Sequence, residues 1–289
     1  MQMKKLALIL IIMTLVVSSA VLIVNHQTDQ GLLKNSNRNY MNSTVSTKPS
    51  KDLTKGTTKE APKVNIKEKK QVRPKKVKKD IVVTIDPGHQ EKANLGQEPV
   101  APKSKMTKFK ATVGSRGAIT KKSEYAITLD ASKMLQKKLQ KKGYKVFLTR
   151  YTNEVDLSNI ERAKIANKRQ SSLFIRIHAD GAENPNVHGF SIIAPGKDNP
   201  YTKKVFRESK IAAQTIVKQV EKDFVLYQNG LIYRSDLAGF NWSKVPVILV
   251  ELGYISNPQE DRNLSNSHYL DKLSTSISDG VSEYLDKTK

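Results

Sequence analysis

Cysteine is absent from all 289 residues. That excludes disulfides, thiolate metal ligands and a cysteine nucleophile, so any bound metal must rest on histidine and carboxylate groups. Histidine is scarce: His26, His89, His178, His188 and His268 are the full set. No HExxH motif occurs, which removes the compact helical form of a zinc site. Acidic residues are outnumbered, 27 Asp and Glu against 50 Lys and Arg, for a formal net charge of +23. No internal repeat is discernible, and no separate binding module is expected after about residue 285.

What is present is unevenly spread. An uncharged run of 19 residues, Leu6 to Val24, follows Lys4 and Lys5. A helix of that length, rising about 1.5 Å per residue, nearly matches a bilayer core of about 30 Å. The basic flank favours a cytoplasmic N-terminus and export of the rest. Ser18, Ser19 and Ala20 offer a cleavage site. The run outlasts a signal-peptide core of about 7–15 residues, so a retained anchor is the expectation and a cleaved signal the alternative. Residues 25–80 hold fifteen Lys and Arg, five Asp and Glu, and almost no aromatic residues. Such a segment cannot bury enough apolar surface to offset its ordering entropy and reads as a disordered linker. Its densest part, Lys63 to Lys79, suits either a solvated spacer or attachment to anionic polymers or lipid headgroups. Nucleic acid would attract the same charge, but export excludes it as a partner.

Residues 81–289 carry the folded part. Ile81 to Ile85, Lys145 to Thr149, Leu173 to Ile177, Phe190 to Ala194 and Val245 to Leu252 read as strands. Glu124 to Lys141, Ile160 to Arg169, Tyr201 to Phe224 and Leu270 to Leu285 read as helices, with Gly143 as a stop after the first. Strands alternating with helices predict an α/β domain, a mostly parallel sheet covered by helices on both faces. Residues 90–117 read as a long loop and a wall of a substrate cleft.

Three strand ends carry polar groups: Asp86-Pro87-Gly88-His89, His178-Ala179-Asp180, and Glu251. Ligands of open α/β sheets bind beyond the carboxyl ends of the strands. His89, His178 and Glu251 are therefore expected at one sheet edge, with Glu124 opening the first long helix. Two imidazoles and a carboxylate make a three-ligand zinc site with a position open for water. Ligands this scattered leave zinc an open reading on spacing alone. His188 is a weaker candidate for the cleft, and His268 is expected to be exposed.

Six segments, IVVTIDPGHQ, SEYAITL, GYKVFLTR, ERAKIAN, LFIRIHADG and NWSKVPVILVELGYISNPQED, occur in an order that resembles the zinc-dependent N-acetylmuramoyl-L-alanine amidase family. This is the type-3 catalytic domain of bacterial autolysins and spore-associated amidases, and the likeness spans about residues 81–286. The resemblance implies one zinc ion on His89, Glu124 and His178, and Glu251 as the catalytic carboxylate. It implies a single domain with a twisted, six-stranded, largely parallel sheet flanked by helices. The implied reaction cuts the amide between the lactyl group of N-acetylmuramic acid and L-alanine of peptidoglycan. Arg176 is a candidate partner of the oxyanion, and Asp86 and Asp180 are candidates to orient a ligand imidazole. Asp180 stands where many members have Asn. A monomer outside the cytoplasm is expected, anchored or secreted, with the basic linker able to meet anionic wall polymers. A zinc peptidase acting on the peptide stem and an inactive wall-binding protein are the alternatives.

Overall fold

The computed structural model describes residues 81–288. The expected membrane segment and basic linker lie outside these residues; among those described, no helix is long and apolar enough to cross a membrane.

Among the described residues eight strands form: β1 (Val82–Pro87), β2 (Asn94–Pro99), β3 (Thr107–Ala111), β4 (Lys145–Leu148), β5 (Leu173–Asp180), β6 (Phe190–Pro195), β7 (Leu226–Arg234) and β8 (Val247–Tyr254). Six of them make one sheet in the order β4-β1-β5-β8-β6-β7, and β2 pairs with β3 in a separate hairpin. Every pairing in the large sheet is parallel except β6 with β8. The sheet is therefore mostly parallel, as the alternation of elements predicts. The described residues also form six helices: α1 (Glu124–Lys141), α2 (Asn159–Lys168), α3 (Phe206–Val220), α4 (Ala238–Asn241), α5 (Pro258–Ser265) and α6 (Ser267–Lys287).

Side chains of a strand alternate between faces, and the two faces have different cores. Val83, Ile85, Ile175, Ile177, Ile248 and Val250 pack against Ile127, Leu135, Ile216 and Ile277 of α1, α3 and α6. The opposite face sends Phe174, Val247 and Leu249 into a smaller cluster with Ala163 and Ala166 of α2 and Phe240 of α4. Asp86, Arg176, His178 and Glu251 share the parity of this second face. The larger core lies on one side of the sheet, and the thinner layer on the other leaves room for a cleft.

Several sequence expectations need correction. The helix expected from Tyr201 begins at Phe206 and ends at Val220. Asn199 folds its side chain back, accepting from the Tyr201 amide at 3.1 Å, which favours turns over helix there. The long loop after His89 holds the β2–β3 hairpin. Glu98 of the hairpin accepts from the Asn159 and Ile160 amides at the start of α2, a favourable place for a carboxylate. Trp242 and Asn241 donate to the carbonyls of Pro99 and Val100 at its end. β7, α4 and α5 were not expected.

Candidate metal centre and cleft

β1 ends in the Asp86-Pro87-Gly88-His89 turn, and His89 adopts a left-handed conformation with φ 59°. That region costs an L-residue roughly 1–2 kcal/mol and is held only where the surroundings fix it. Two buried guanidiniums do so here. Pro87 O accepts from Arg150 Nε at 2.9 Å and Arg162 Nη1 at 2.8 Å. Gly88 O accepts from Arg150 Nη2 at 2.9 Å and the Thr128 hydroxyl at 2.8 Å, and His89 O from Arg162 Nη2 at 3.1 Å. The carbonyls of Pro87, Gly88 and His89 are thereby gripped. Burial and the neighbouring Arg162 push the Arg150 guanidinium down to about 10, still charged at neutral pH.

The turn delivers His89 to Glu124, the first residue of α1, and to His178 of β5. His89 Nε2 lies 3.1 Å from Glu124 Oε1 and 3.1 Å from His178 Nδ1; His178 Nδ1 lies 3.2 Å from the same Glu124 oxygen. These atoms form a nearly equilateral triangle. A tetrahedral ion with bonds of about 2.0–2.1 Å separates its ligands by about 3.3 Å, so the donors present fit zinc. His89 Nδ1 is 3.1 Å from the Thr112 carbonyl oxygen, which places the ring proton on Nδ1 and the lone pair on Nε2. Glu124 Oε1 also accepts from the Ala179 amide, and Oε2 from the Ser115 amide. Burial opposes ionisation of Glu124, but its contact with the His178 and His89 rings holds its carboxyl well below the usual range. Burial drives His178 down to about 4, keeping it neutral as a metal ligand requires. Gly114, with φ 77°, passes so close that a Cβ there would meet Glu124 Oε2 and the His89 ring.

Glu251 occupies β8 directly opposite His178 of β5 and Ser191 of β6. It is buried, and its Oε2 has no hydrogen-bond partner. Burial, then the carboxylates of Asp180 and Glu124, push its carboxyl well above the ordinary range. A cation held by the histidines would oppose that rise. Glu251, His89 and His178 line one cleft of about 340 Å³, with the β2–β3 hairpin as its far wall.

The remaining candidates do not join the donor triangle. Asp86 orients no imidazole: it is fully buried between Arg162 and Arg176, 2.8 and 2.9 Å away, and accepts from Thr149. Asp180 accepts from the Gly181 amide instead of a histidine. Arg176 lines the cleft, but its Nε binds Asp86 and its Nη2 binds Asn159 Oδ1. His188 lies in a different surface depression, and His268 is exposed at the start of α6. Sequence reasoning missed Arg150, Arg162 and Thr112. The two arginines end GYKVFLTR and follow the first residue of ERAKIAN, beside Thr149 and Glu161, so no local pattern marks them as buried.

Residues 83–283 match the family described as N-acetylmuramoyl-L-alanine amidase. N-acetylmuramoyl-L-alanine amidase AmiA of Escherichia coli is 28% identical over 240 residues, covering 71% of this chain and 76% of the relative. N-acetylmuramoyl-L-alanine amidase Rv3717 of Mycobacterium tuberculosis is 27% identical over 218 residues, covering 71% of this chain and 86% of the relative. The crystal structure of the amidase Ami1 from Mycobacterium smegmatis aligns with a TM-score of 0.66 at 25% identity, covering 73% of this chain and 100% of that one.

Proposed function

The chain belongs to the N-acetylmuramoyl-L-alanine amidase family, and on that premise we propose how its residues hydrolyse the amide between N-acetylmuramic acid and L-alanine in peptidoglycan. His89, Glu124 and His178 hold one zinc ion, and Glu251 moves the protons. The observation that carries this reading is the triangle of donor atoms, 3.1–3.2 Å on a side, beside a buried carboxyl with an unpartnered oxygen. When bound, zinc supplies Lewis acidity, bringing the pKa of a water towards about 7 and polarising the scissile carbonyl. Glu251 takes the proton of the attacking water and delivers it to the departing alanine nitrogen. Thr112 fixes the His89 ring, and the Arg150–Arg162 pair fixes the turn that carries it. The same reading makes the protein an exported monomer, held at the membrane by Leu6 to Val24. Its basic linker meets anionic wall polymers or lipid headgroups.

Mass spectrometry of digested muropeptides tests the reaction. Fragments with a free lactyl group and a free L-alanine amine are expected. They should disappear with a chelator and return with added zinc, and His89→Ala should contain no stoichiometric metal. Cuts confined to bonds within the stem would make the protein a peptidase instead, and cleavage undiminished by chelation would remove the metal from the reaction.

Asp180→Asn gives a pH signature. Glu251 acts as a base when ionised, so kcat/KM rises as pH climbs through its elevated pKa. Asp180 is among the charges that elevate it. Neutralising Asp180 therefore moves the acid limb of the kcat/KM profile to lower pH; a limb that stays in place or moves upward contradicts the coupling.

A further inference from the structure

The cleft carries positive charge that neither the fold nor the proton transfer uses. Lys108 and Lys110 are two apart on β3, so they share a face, and both are half-buried and line the cavity with His89 and Glu251. Among the described residues neither ammonium has an ion-pair or hydrogen-bond partner. Burial, and then the nearby Arg176, hold the Lys108 pKa below the ordinary lysine value. Arg234, at the end of β7, faces the same cavity and is paired with Asp236. No carboxylate contacts either ammonium directly, though Asp236 and the cross-strand Glu98 partly offset the charge of Lys108, and the hairpin carrying the two lysines is pinned to α2 and to Trp242.

We propose that Lys108 and Lys110, with Arg234 across the cleft, select a stem peptide bearing a free carboxylate just behind the scissile amide over one in which that group is a neutral carboxamide. The inference rests on the amidase reading of the metal centre. With the muramoyl–alanine amide at His89, His178 and Glu251, the next residue of the stem begins about 3.8 Å further on, Cα to Cα. The hairpin wall lines the same cavity of about 340 Å³ as His89 and Glu251, the seat this selection requires for that residue. A carboxylate there accepts charge-assisted bonds from the ammonium groups, whereas a carboxamide offers only a neutral oxygen.

Two soluble substrates make the comparison: N-acetylmuramoyl-L-alanyl-γ-D-glutamyl-L-lysine with the glutamyl α-carboxylate free, and the same peptide with that group amidated. The readout is kcat/KM for release of the alanine amine. The free acid should be preferred about tenfold, the effect of one charge-assisted contact. The preference should fall to near unity in the double variant Lys108→Met, Lys110→Met and reverse in Lys108→Glu. Raising salt should shrink the preference in the unaltered protein, a readout independent of whether the variants fold. Equal kcat/KM for both peptides, or a preference untouched by salt and by the double substitution, overturns the proposal while leaving the amidase reading intact. If neither peptide releases alanine amine, the reading of the site fails. Calorimetric binding of both peptides to Glu251→Gln then still decides, and equal affinities overturn the selectivity.

Discussion

Glu251→Gln should cut peptidoglycan turnover by on the order of 10²-fold or more while leaving the metal in place. The substitution keeps the shape of the side chain and removes its capacity to accept and return a proton. Glu251 is not among the three atoms that converge on the metal position, so metal content should stay stoichiometric. Its seat explains the size of the effect. A carboxyl on a central strand, with one oxygen unpartnered, forfeits solvation that the fold does not replace. Burial and two neighbouring carboxylates raise its pKa, towards the range in which a group can both take and give a proton near neutral pH. Metal analysis and muropeptide mass spectrometry on the same preparation check this. Turnover close to that of the unaltered protein would remove Glu251 from the mechanism.

Asp86→Asn should be the most damaging change away from the metal ligands. Asp86 is the shared counter-ion of Arg162 and Arg176, all three buried. Removing one partner of such a group leaves uncompensated charge in the interior and costs about 3–5 kcal/mol. At about 2–4 °C per kcal/mol for a domain of this size, the melting temperature should fall by on the order of 10 °C. The pH dependence has a definite sign. Burial opposes ionisation of Asp86, yet Arg162 and Arg176 together hold its folded-state pKa far below the ordinary aspartate value. Its contribution is therefore complete above the unfolded pKa and is lost as pH falls below it towards the depressed folded value. The unaltered protein should lose stability below about pH 4 more steeply than the variant. Thermal denaturation from pH 2 to 6 measures both quantities, and coincident curves would show that the triad contributes nothing.

The strands that carry the candidate site were readable because each is a short β-branched run that ends in a polar cluster. Val82 to Ile85 before Asp86-Pro87-Gly88-His89 is the clearest case. Glu124 was readable as the start of an amphipathic helix. The β2–β3 hairpin was not, since Asn94-Leu95-Gly96-Gln97-Glu98-Pro99 has no strand-forming residue pattern. It is held by Glu98 on α2 and by Trp242, contacts distant in sequence. β7 was hidden by Gln228-Asn229-Gly230, all with positive φ, where its register against β6 shifts. The reversed direction of β6 against β8 leaves no trace in periodicity, because alternation is the same either way. Asp86 was legible as a turn residue, but its partnership with two arginines depends on residues 76 and 90 positions away.

The order of the sheet has a consequence for how the chain comes to exist. β8 is the last strand in sequence, yet it lies between β5 and β6 near the middle of the sheet. A nascent chain stopped before residue 247 has a gap where the centre should be, and β6 and β7 have no neighbour joining them to β5. The strand that fills that gap is also the one bearing Glu251. Synthesis and assembly are thus coupled by topology alone: the carboxylate assigned the proton transfer takes its place opposite His178 only once the domain has closed around its own final strand.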